Sequence, residues 1–503
     1  MGEKKAPESI DALRVKQWLP EWDEVNYDPE QNQARPLQHF YLFSMSAAQV
    51  RKLSAIYRRD ASKITARKED LGIQRRHDKE RSDEIRRYVK EGFPRSALSE
   101  AQRSERANDG LRKPGWLPTA VVVNLLNVGD ERNGKTISED KVIRVTDDPS
   151  QTFATLTLPT EVDEALPPIE VIDGQHRLFA FDDDQSIADF QLPVVAFHGL
   201  DVSWQAYLFW TINIKPKKIN ASLAFDLYPL LREQAWLQSG DQIVVYRESR
   251  AQELTEILWS TPSSPWYKRI NMLGGPRREN GPVTQAAFVR SLIASMVKSW
   301  EPVGRAHVGG IFGGRPDANK GLAWSRVQQG AFLVTAWREL AKAVQATEAE
   351  WAALTRTASG EPDGQVSDAA FSSSLSLLAT DQGVRGFQSV VNDLCYIRQQ
   401  PLGLAEWRDA GDPMDVSPDG VEEVAQTLPN NIRQFLGHIS EGIATFDWRS
   451  SSFPNLTEQQ RLAKAALRGS GGYKELRTQL IDHLKSSQHE DVAKAAAELK
   501  DLA

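Results

Sequence analysis

The stretch Ile169-Glu170-Val171-Ile172-Asp173-Gly174-Gln175-His176-Arg177-Leu178-Phe179-Ala180-Phe181 decides how this chain is read. Ile169 to Ile172 is a short apolar strand that stops at Asp173-Gly174, and Leu178 to Phe181 begins a helix. A strand that turns through glycine into a helix leaves backbone N–H groups free at the turn. Those groups and the helix dipole attract an anion. Gly174 lets a backbone approach closely, and Gln175 stands at the centre of the loop. Arg177 adds a guanidinium fork that fits phosphate. His176 can donate a hydrogen bond or move a proton. Asp173 can cap the helix or hold a Mg2+ ion that bridges phosphates. The same five residues also read as a plain turn, with Asp173 as a cap and His176 and Arg177 in solvent. The residues alone leave these two readings level.

Outward from the turn, strands and helices mix. Pro118 to Val128 is an apolar, partly β-branched run, the mark of a buried strand. Lys141 to Val145, Thr152 to Leu158 and Leu192 to Phe197 read as further strands. So does Tyr41 to Met45, followed by Ser46 as a helix cap. Val202 to Asn213 and Ala221 to Leu231 read as helices. Residues 1–35 are polar and carry Pro7, Pro20 and Pro29, which predicts an irregular arm. Residues 36–235 then form an α/β (α+β) domain, and residues 236–503 a mostly α-helical region. In the latter, helical periodicity marks Thr284 to Trp300, Trp324 to Ala346, Ala369 to Ala379, Gly386 to Gln399, Val421 to Gly437 and Glu458 to Arg468. Eight of the fourteen tryptophans lie beyond residue 250, several in these periodic segments, as core packing requires.

The composition sets limits. At 503 residues the chain is long enough for two to four domains. Its one cysteine, Cys395, excludes a disulfide framework and a Cys-based zinc site and reads as a core residue. Met1 to Ser9 is polar, and no 18-residue apolar run occurs, so the expected location is the cytoplasm, with no membrane span. The net charge of −7 excludes binding of nucleic acid by bulk charge. Residues 51–90 are nevertheless basic, with 14 Lys or Arg against 7 Asp or Glu. Asp78 to Lys90 of this stretch reads as a helix with Asp78 as N-cap and Ile85, Tyr88 and Val89 on its apolar face. The stretch is either a surface for DNA phosphates, through Arg58, Arg59, Arg86 and Arg87, or a charged helical face with acidic partners at i+3 and i+4.

Three segments together carry a family resemblance. Ile172 to Phe181 (I-D-G-Q-H-R-L-F-A-F) resembles the signature of the DGQHR-domain proteins. That family includes the DndB proteins of DNA phosphorothioation clusters and the DpdB proteins of 7-deazaguanine DNA modification systems. Ile73-Gln74-Arg75-Arg76 and the following Arg81 to Tyr88 are similar to its upstream Q-R element and helix. Phe209 to Asn220 resembles its downstream I-N-x-x-x-K-K-x-N element. The likeness spans roughly residues 40–235, and the segments agree in order as well as type.

The resemblance implies a fold related to the ParB and sulfiredoxin superfamily, in which a loop at a helix start binds nucleotide phosphates. It would place Gly174, Gln175, His176 and Arg177 in a phosphate cradle. Gln74, Arg75 and Arg76 would approach from upstream, and Asn213, Lys217, Lys218 and Asn220 would close the pocket from downstream. The implied ligand is ATP or another NTP with Mg2+. Asp173, His176 and Arg177 are then the candidate residues for hydrolysis. DpdB-like members are linked with ATP hydrolysis, and DndB-like members with DNA binding and repression of their own cluster. The implied partners are therefore DNA, other proteins of a bacterial or phage modification or defence system, and further copies of the chain. The implied function is nucleotide binding with possible NTP hydrolysis. The alternatives are a non-enzymatic DNA-binding regulator and, less favoured, a ParB-like nuclease.

Other constellations fail. There is no H-E-x-x-H, no G-x-S-x-G and no Walker A loop. Sulfiredoxin-type chemistry needs a cysteine where this loop has Gln175. Asp182-Asp183-Asp184 reads as a solvated turn rather than a metal site. Lys215-Pro216-Lys217-Lys218 reads either as a solvated charged face or, with the resemblance, as the edge of a polar pocket. Gly304 to Arg315 reads as an ordinary surface loop, with a lid or a DNA-contacting loop as alternatives, and Arg468 to Lys474 as a helix–turn–helix connection.

Overall fold

The structure, a computed structural model, describes residues 7–55, 79–104, 112–214, 221–226, 244–274, 281–298, 309–313, 324–359, 368–408 and 415–502, with 108 and 322, and without the single positions 26, 32, 133, 149 and 183. The chain divides into two compact units, Met1–Lys217 and Lys218–Ala503. The first is mixed α/β and the second mostly helical, as the sequence predicts.

The first unit is built on an eight-stranded sheet. Its strands in chain order are β1 (Ser9–Lys16), β2 (His39–Ser46), β3 (Ser54–Ala55), β4 (Val121–Leu125), β5 (Arg144–Thr146), β6 (Phe153–Thr157), β7 (Ile169–Asp173) and β8 (Gln191–His198). Across the sheet they run β3-β7-β4-β8-β2-β1-β6-β5. Side chains alternate between the faces of a strand. Tyr41, Phe43 and Met45 of β2 and Leu192, Val194 and Ala196 of β8 are accordingly buried in one core with Val121, Val123 and Leu125 of β4. β8 runs parallel to β4, with Val194 opposite Val121, and antiparallel to β2.

The sequence placed an irregular arm over residues 1–35. The structure instead makes Ser9–Lys16 an internal strand, with Leu13 opposite Leu42 of β2 and Ala12 opposite Ala154 of β6. Of its residues only Ala12 is fully buried, so its polar partners mask it in composition. The prolines lie outside it, at positions 7, 20 and 29.

Helices α1 (Ala47–Leu53), α2 (Lys79–Glu91), α3 (Gln175–Phe179) and α4 (Val202–Ile214) complete this unit's framework. Ser46 caps α1 as expected, its hydroxyl accepting from the Gln49 N–H. α2 packs Ile85 and Val89 against the core. Asp78 lies outside the described residues.

At the head of β2, His39 Nε2 lies 3.0 Å from both the Tyr41 hydroxyl and Asp147 Oδ2. Burial pushes the His39 pKa down, and the nearby Arg14 charge adds to this against the pull of Asp147. Burial also lowers His198, at the end of β8.

The second unit packs around α7 (Arg326–Ala346), after α5 (Val244–Ser260) and α6 (Gln285–Ala294). α8 (Glu350–Ser359), α9 (Asp381–Ile397), α10 (Pro418–Gln426), α11 (Asn430–Ala444), α12 (Glu458–Ala465), α13 (Gly469–Leu484) and α14 (Glu490–Leu502) follow. Trp266 and Trp337 stand edge to face with ring centroids 5.2 Å apart, and Phe387 lies 4.3 Å from Trp337. Trp266, Trp324, Trp337, Trp351, Trp407 and Trp448 are thus core residues and Trp259 packs against them, while Trp300 lies outside the described residues. Cys395 is buried too, and burial raises its thiol pKa.

Three segments differ from their sequence reading. Val421 to Gly437 is two helices, because Pro429 cannot continue α10 and instead stands before α11. Ala369 to Ala379 holds only a single 3-10 turn, Ala369–Phe371. The serine run after it hydrogen-bonds locally, as where the Ser373 hydroxyl accepts from Leu375 N–H. Of the Gly304–Arg315 segment, residues 309–313 are described, and they are buried rather than on the surface. Asn392 holds them, accepting from Ile311 N–H at 2.9 Å and donating to the Gly309 carbonyl at 3.1 Å.

Because folding lowers the pKa of His39 and His198, the unfolded chain takes up protons at these positions at a higher pH than the fold does. Their contribution is complete above the ordinary imidazole value of about 6.5 and is lost as pH falls from there through the lower values these groups have in the fold. Thermal melts should therefore show the unit containing them losing stability as pH falls below about 6.5. A His39→Gln/His198→Gln variant should show a flatter dependence.

Candidate functional site

β7 carries the site, and its register shows how. Glu170 faces Asn124 and Val171 faces Val123 of β4, but Asp173 faces Val122, so a bulge falls between Val171 and Asp173. A bulge re-aims the residues that follow it. The chain then turns at Gly174, whose φ of +104° suits glycine alone. A Cβ there would also lie 3.0 Å from Arg177 Nη2, a tight contact to which the clamped side chain would have to yield. α3 begins at Gln175, three residues before the predicted Leu178, and is five residues long.

Asp173 is the centre of the turn. Arg177 Nη2 donates to its Oδ2 at 2.8 Å, and Asn213 Nδ2 from the end of α4 donates to its Oδ1 at 3.3 Å. Arg177 Nη1 donates to the Thr119 carbonyl at 2.8 Å and also to the Thr119 hydroxyl. The Arg177 side chain is only 15 % exposed. It is thus a clamp between β7, α3 and the approach to β4, rather than the solvent-facing group of the plain-turn reading. Burial lowers its pKa first of all; the carboxylate of Asp173 opposes this, and the like charge of Arg81 on α2 adds to it. The Asp173 carboxylate is thus shared between Arg177 and Asn213. Gln175 is turned inward at 5 % exposure, its Oε1 buried without a hydrogen-bond partner among the described residues. His176 is half-buried.

α2 is moored beside the turn. Arg86 Nε donates to the Ala180 carbonyl at 2.8 Å, and Arg86 Nη1 lies 3.1 Å from Asp83. Lys90 pairs with Asp184 at 2.7 Å. Arg86 thus spends its charge within the fold, whereas Arg87 is exposed. In the aspartate run, Asp182 takes Arg51 at 2.7 Å. Asp184 is held at a pKa of about 2 by Lys90 and the Ser186 hydroxyl. These acids are occupied by cations of the protein, and Asp183 lies outside the described residues. Among the described residues no three His, Cys, Asp or Glu side chains converge as a metal-binding group.

Gln74, Arg75, Arg76, Lys217, Lys218 and Asn220, named with the turn in the sequence, lie outside the described residues, as do Arg58 and Arg59. Of the expected set, the structure brings together Asp173, Gly174, Arg177 and Asn213.

One residue escaped the sequence reading. Glu170, in the middle of β7, is 4 % exposed. Its carboxylate accepts from Arg132 Nε at 2.6 Å, Asn124 Nδ2 at 2.9 Å and Gln205 Nε2 at 2.8 Å. Gln205 belongs to α4, so this network fixes the helix that delivers Asn213 to Asp173. The signal was present: Asn124 is the polar member of an otherwise apolar strand, and Glu170 stands between apolar residues of β7.

Residues 33–229 match the model of the DndB family, described as DNA-sulfur modification-associated. The matched stretch contains the turn, both strands that flank it and Asn213. No curated protein and no solved structure matches the chain. Among the described residues no helix is long and apolar enough to cross a membrane.

Removing the Glu170 carboxylate takes the shared acceptor of Arg132, Asn124 and Gln205 out of a nearly dry site. Glu170→Ala should cost about 3–5 kcal/mol in denaturant unfolding, and Glu170→Gln less, since the amide still accepts a hydrogen bond. Gly174→Ala should also destabilise, because it combines a positive φ with a close approach to Arg177.

Proposed function

We propose that the chain acts in a DNA-sulfur modification system and that its Asp173–Arg177 turn recognises a phosphate group of a nucleotide. The context rests on the match of residues 33–229 to the DndB family. The recognition rests on one observation: the Arg177 guanidinium is held in place by Thr119 through Nη1 while its Nη2 meets the Asp173 carboxylate, which Asn213 also shares. A phosphate oxygen entering at Arg177 Nη2 would take the place of Asp173 there, and Arg177 would keep its bonds to Thr119. Asp173, released from Arg177, would retain Asn213 on one oxygen. A Mg2+ ion carried by an NTP takes one or two protein carboxylates beside the phosphates, a demand that Asp173 fits. If the NTP is hydrolysed, His176 in α3 is the residue we assign to orient water.

A second reading is a DNA-binding regulator without enzymatic activity. Arg177 is already engaged by Asp173 and Thr119, while Arg87 is exposed on α2 beside the turn. In that reading Arg87 meets DNA phosphates and the turn is structural.

The two are separated by titrating ATP, CTP and duplex DNA onto wild type, Arg177→Ala and Arg87→Ala. The nucleotide reading expects NTP affinity to fall about tenfold or more in Arg177→Ala, which corresponds to about 1.4 kcal/mol, and to be unchanged in Arg87→Ala. The regulator reading expects duplex affinity that declines steeply with salt and weakens in Arg87→Ala. Absence of any NTP binding by the wild type would reject the nucleotide reading.

A further inference from the structure

Away from the turn, the first unit holds a cavity of about 480 Å³. Its wall is a run of aromatic rings. Trp22 meets Trp18 edge-on at 5.5 Å, Trp18 stacks with Tyr27 at 6.4 Å, Tyr27 lies 6.2 Å from Trp204, and Trp204 meets Tyr207 at 6.1 Å. Phe40 lines it from β2. The mouth is open, with Trp22 at 42 % and Tyr207 at 55 % exposure. Large apolar groups held in water around a concavity mark a binding surface.

Three polar atoms of the wall are already used. Trp18 Nε1 donates to Asp23 at 2.9 Å, Trp204 Nε1 to the Ala34 carbonyl at 2.9 Å, and the Tyr27 hydroxyl to the Trp22 carbonyl at 2.6 Å. The electron-rich faces of the rings are the wall's main offer to a ligand. One face is in use within the chain itself: the Arg35 guanidinium lies 5.4 Å over the Trp18 ring and pairs with Asp23. Arg35 apart, the segment that carries Trp22 and Tyr27 is acidic: residues 20–31 hold Glu21, Asp23, Glu24, Asp28 and Glu30 and no Lys or Arg. Glu21, Asp23, Glu24 and Glu30 are exposed.

Aromatic faces ringed by carboxylates favour a cation joined to an apolar body. They disfavour nucleic acid, whose phosphates would meet the acids. We infer that this cavity docks a basic peptide segment of a partner protein, with an Arg or Lys side chain across the ring faces and a neighbouring apolar side chain in the cavity. The surface is chemically opposite to the arginine-bearing surroundings of Asp173, so one unit presents two recognition chemistries.

The test is calorimetric titration of the full chain with acetyl-Arg-Leu-Arg-amide, with acetyl-Glu-Leu-Glu-amide and oligothymidylate as comparators. The inference expects saturable binding of the arginine peptide, weakened about tenfold in Trp22→Ala and in Tyr207→Ala. Glu21→Gln/Glu24→Gln and added salt should weaken it several-fold. Unchanged thermal midpoints confirm that these exposed substitutions leave the fold intact. The inference is overturned by failure of the arginine peptide to saturate at about 10 mM, by equal binding of the glutamate peptide, or by binding that Trp22→Ala leaves unaltered. Oligothymidylate binding that is lost in Trp22→Ala also overturns it, and would assign the cavity to bases instead.

Discussion

A carboxylate with almost no access to water, Glu170, ties together the parts on which the turn depends. Arg132 and Glu170 have side-chain exposures of 13 % and 5 %. Ionised groups in such a place are tolerated only when every lone pair is met. Glu170 meets that condition with Arg132, Asn124 and Gln205, which belong to three different segments. Asn124 passes the constraint on by accepting from Leu200 N–H at 2.8 Å, just before α4 begins. The start of α4 is thus bonded to β4 and β7. Its far end, eight residues beyond Gln205, can then present Asn213 to Asp173 without searching for it. A network of this kind is costly to leave half-made, so it selects one arrangement of the elements around the turn.

The turn inherits this rigidity. The bulge after Val171, the positive φ of Gly174 and the clamp of Arg177 on Thr119 leave the Asp173 carboxylate little freedom. Burial and the like charge of Arg81 both act on Arg177 against the pull of Asp173. A rigid backbone with a guanidinium fixed beside it suits the proposed anion site. The opposite end of the same helix, α4, contributes Trp204 and Tyr207 to the acidic aromatic cavity. One helix therefore serves two surfaces of opposite chemistry, and both positions follow from the same anchoring at Gln205.

Much of this was legible in the residues. The apolar run around Val121 to Leu125 could only be a buried strand, and Asp173-Gly174 could only be a turn between a strand and a helix. Ser46 announced α1, and the periodic tryptophan segments announced the helical half. What stayed hidden was set by tertiary structure. Ser9–Lys16 has the alternation of a strand, but its exposed charges resemble those of an arm until a sheet supplies two neighbours. The role of Arg177 could not be read from its type, because Thr119 lies 58 positions upstream and meets it only when β4 and β7 pair. Glu170 looked like a stray acid in an apolar strand for the same reason: its partners come from residues 124, 132 and 205. Arg86 read as a DNA contact, yet its guanidinium is turned onto Ala180 and Asp83.

The account stands on Arg177 exchanging its bond to Asp173 for one to a phosphate. Nuclear magnetic resonance of the arginine side-chain nitrogens observes that exchange at the atom concerned. With Arg177 assigned through Arg177→Lys, saturating Mg-ATP should shift its guanidinium signals, while those of Arg132, held by Glu170, stay in place. An equal concentration of sodium chloride should not reproduce the effect. Arg177 signals that remain unmoved while ATP demonstrably binds the chain would contradict the account and place the nucleotide elsewhere.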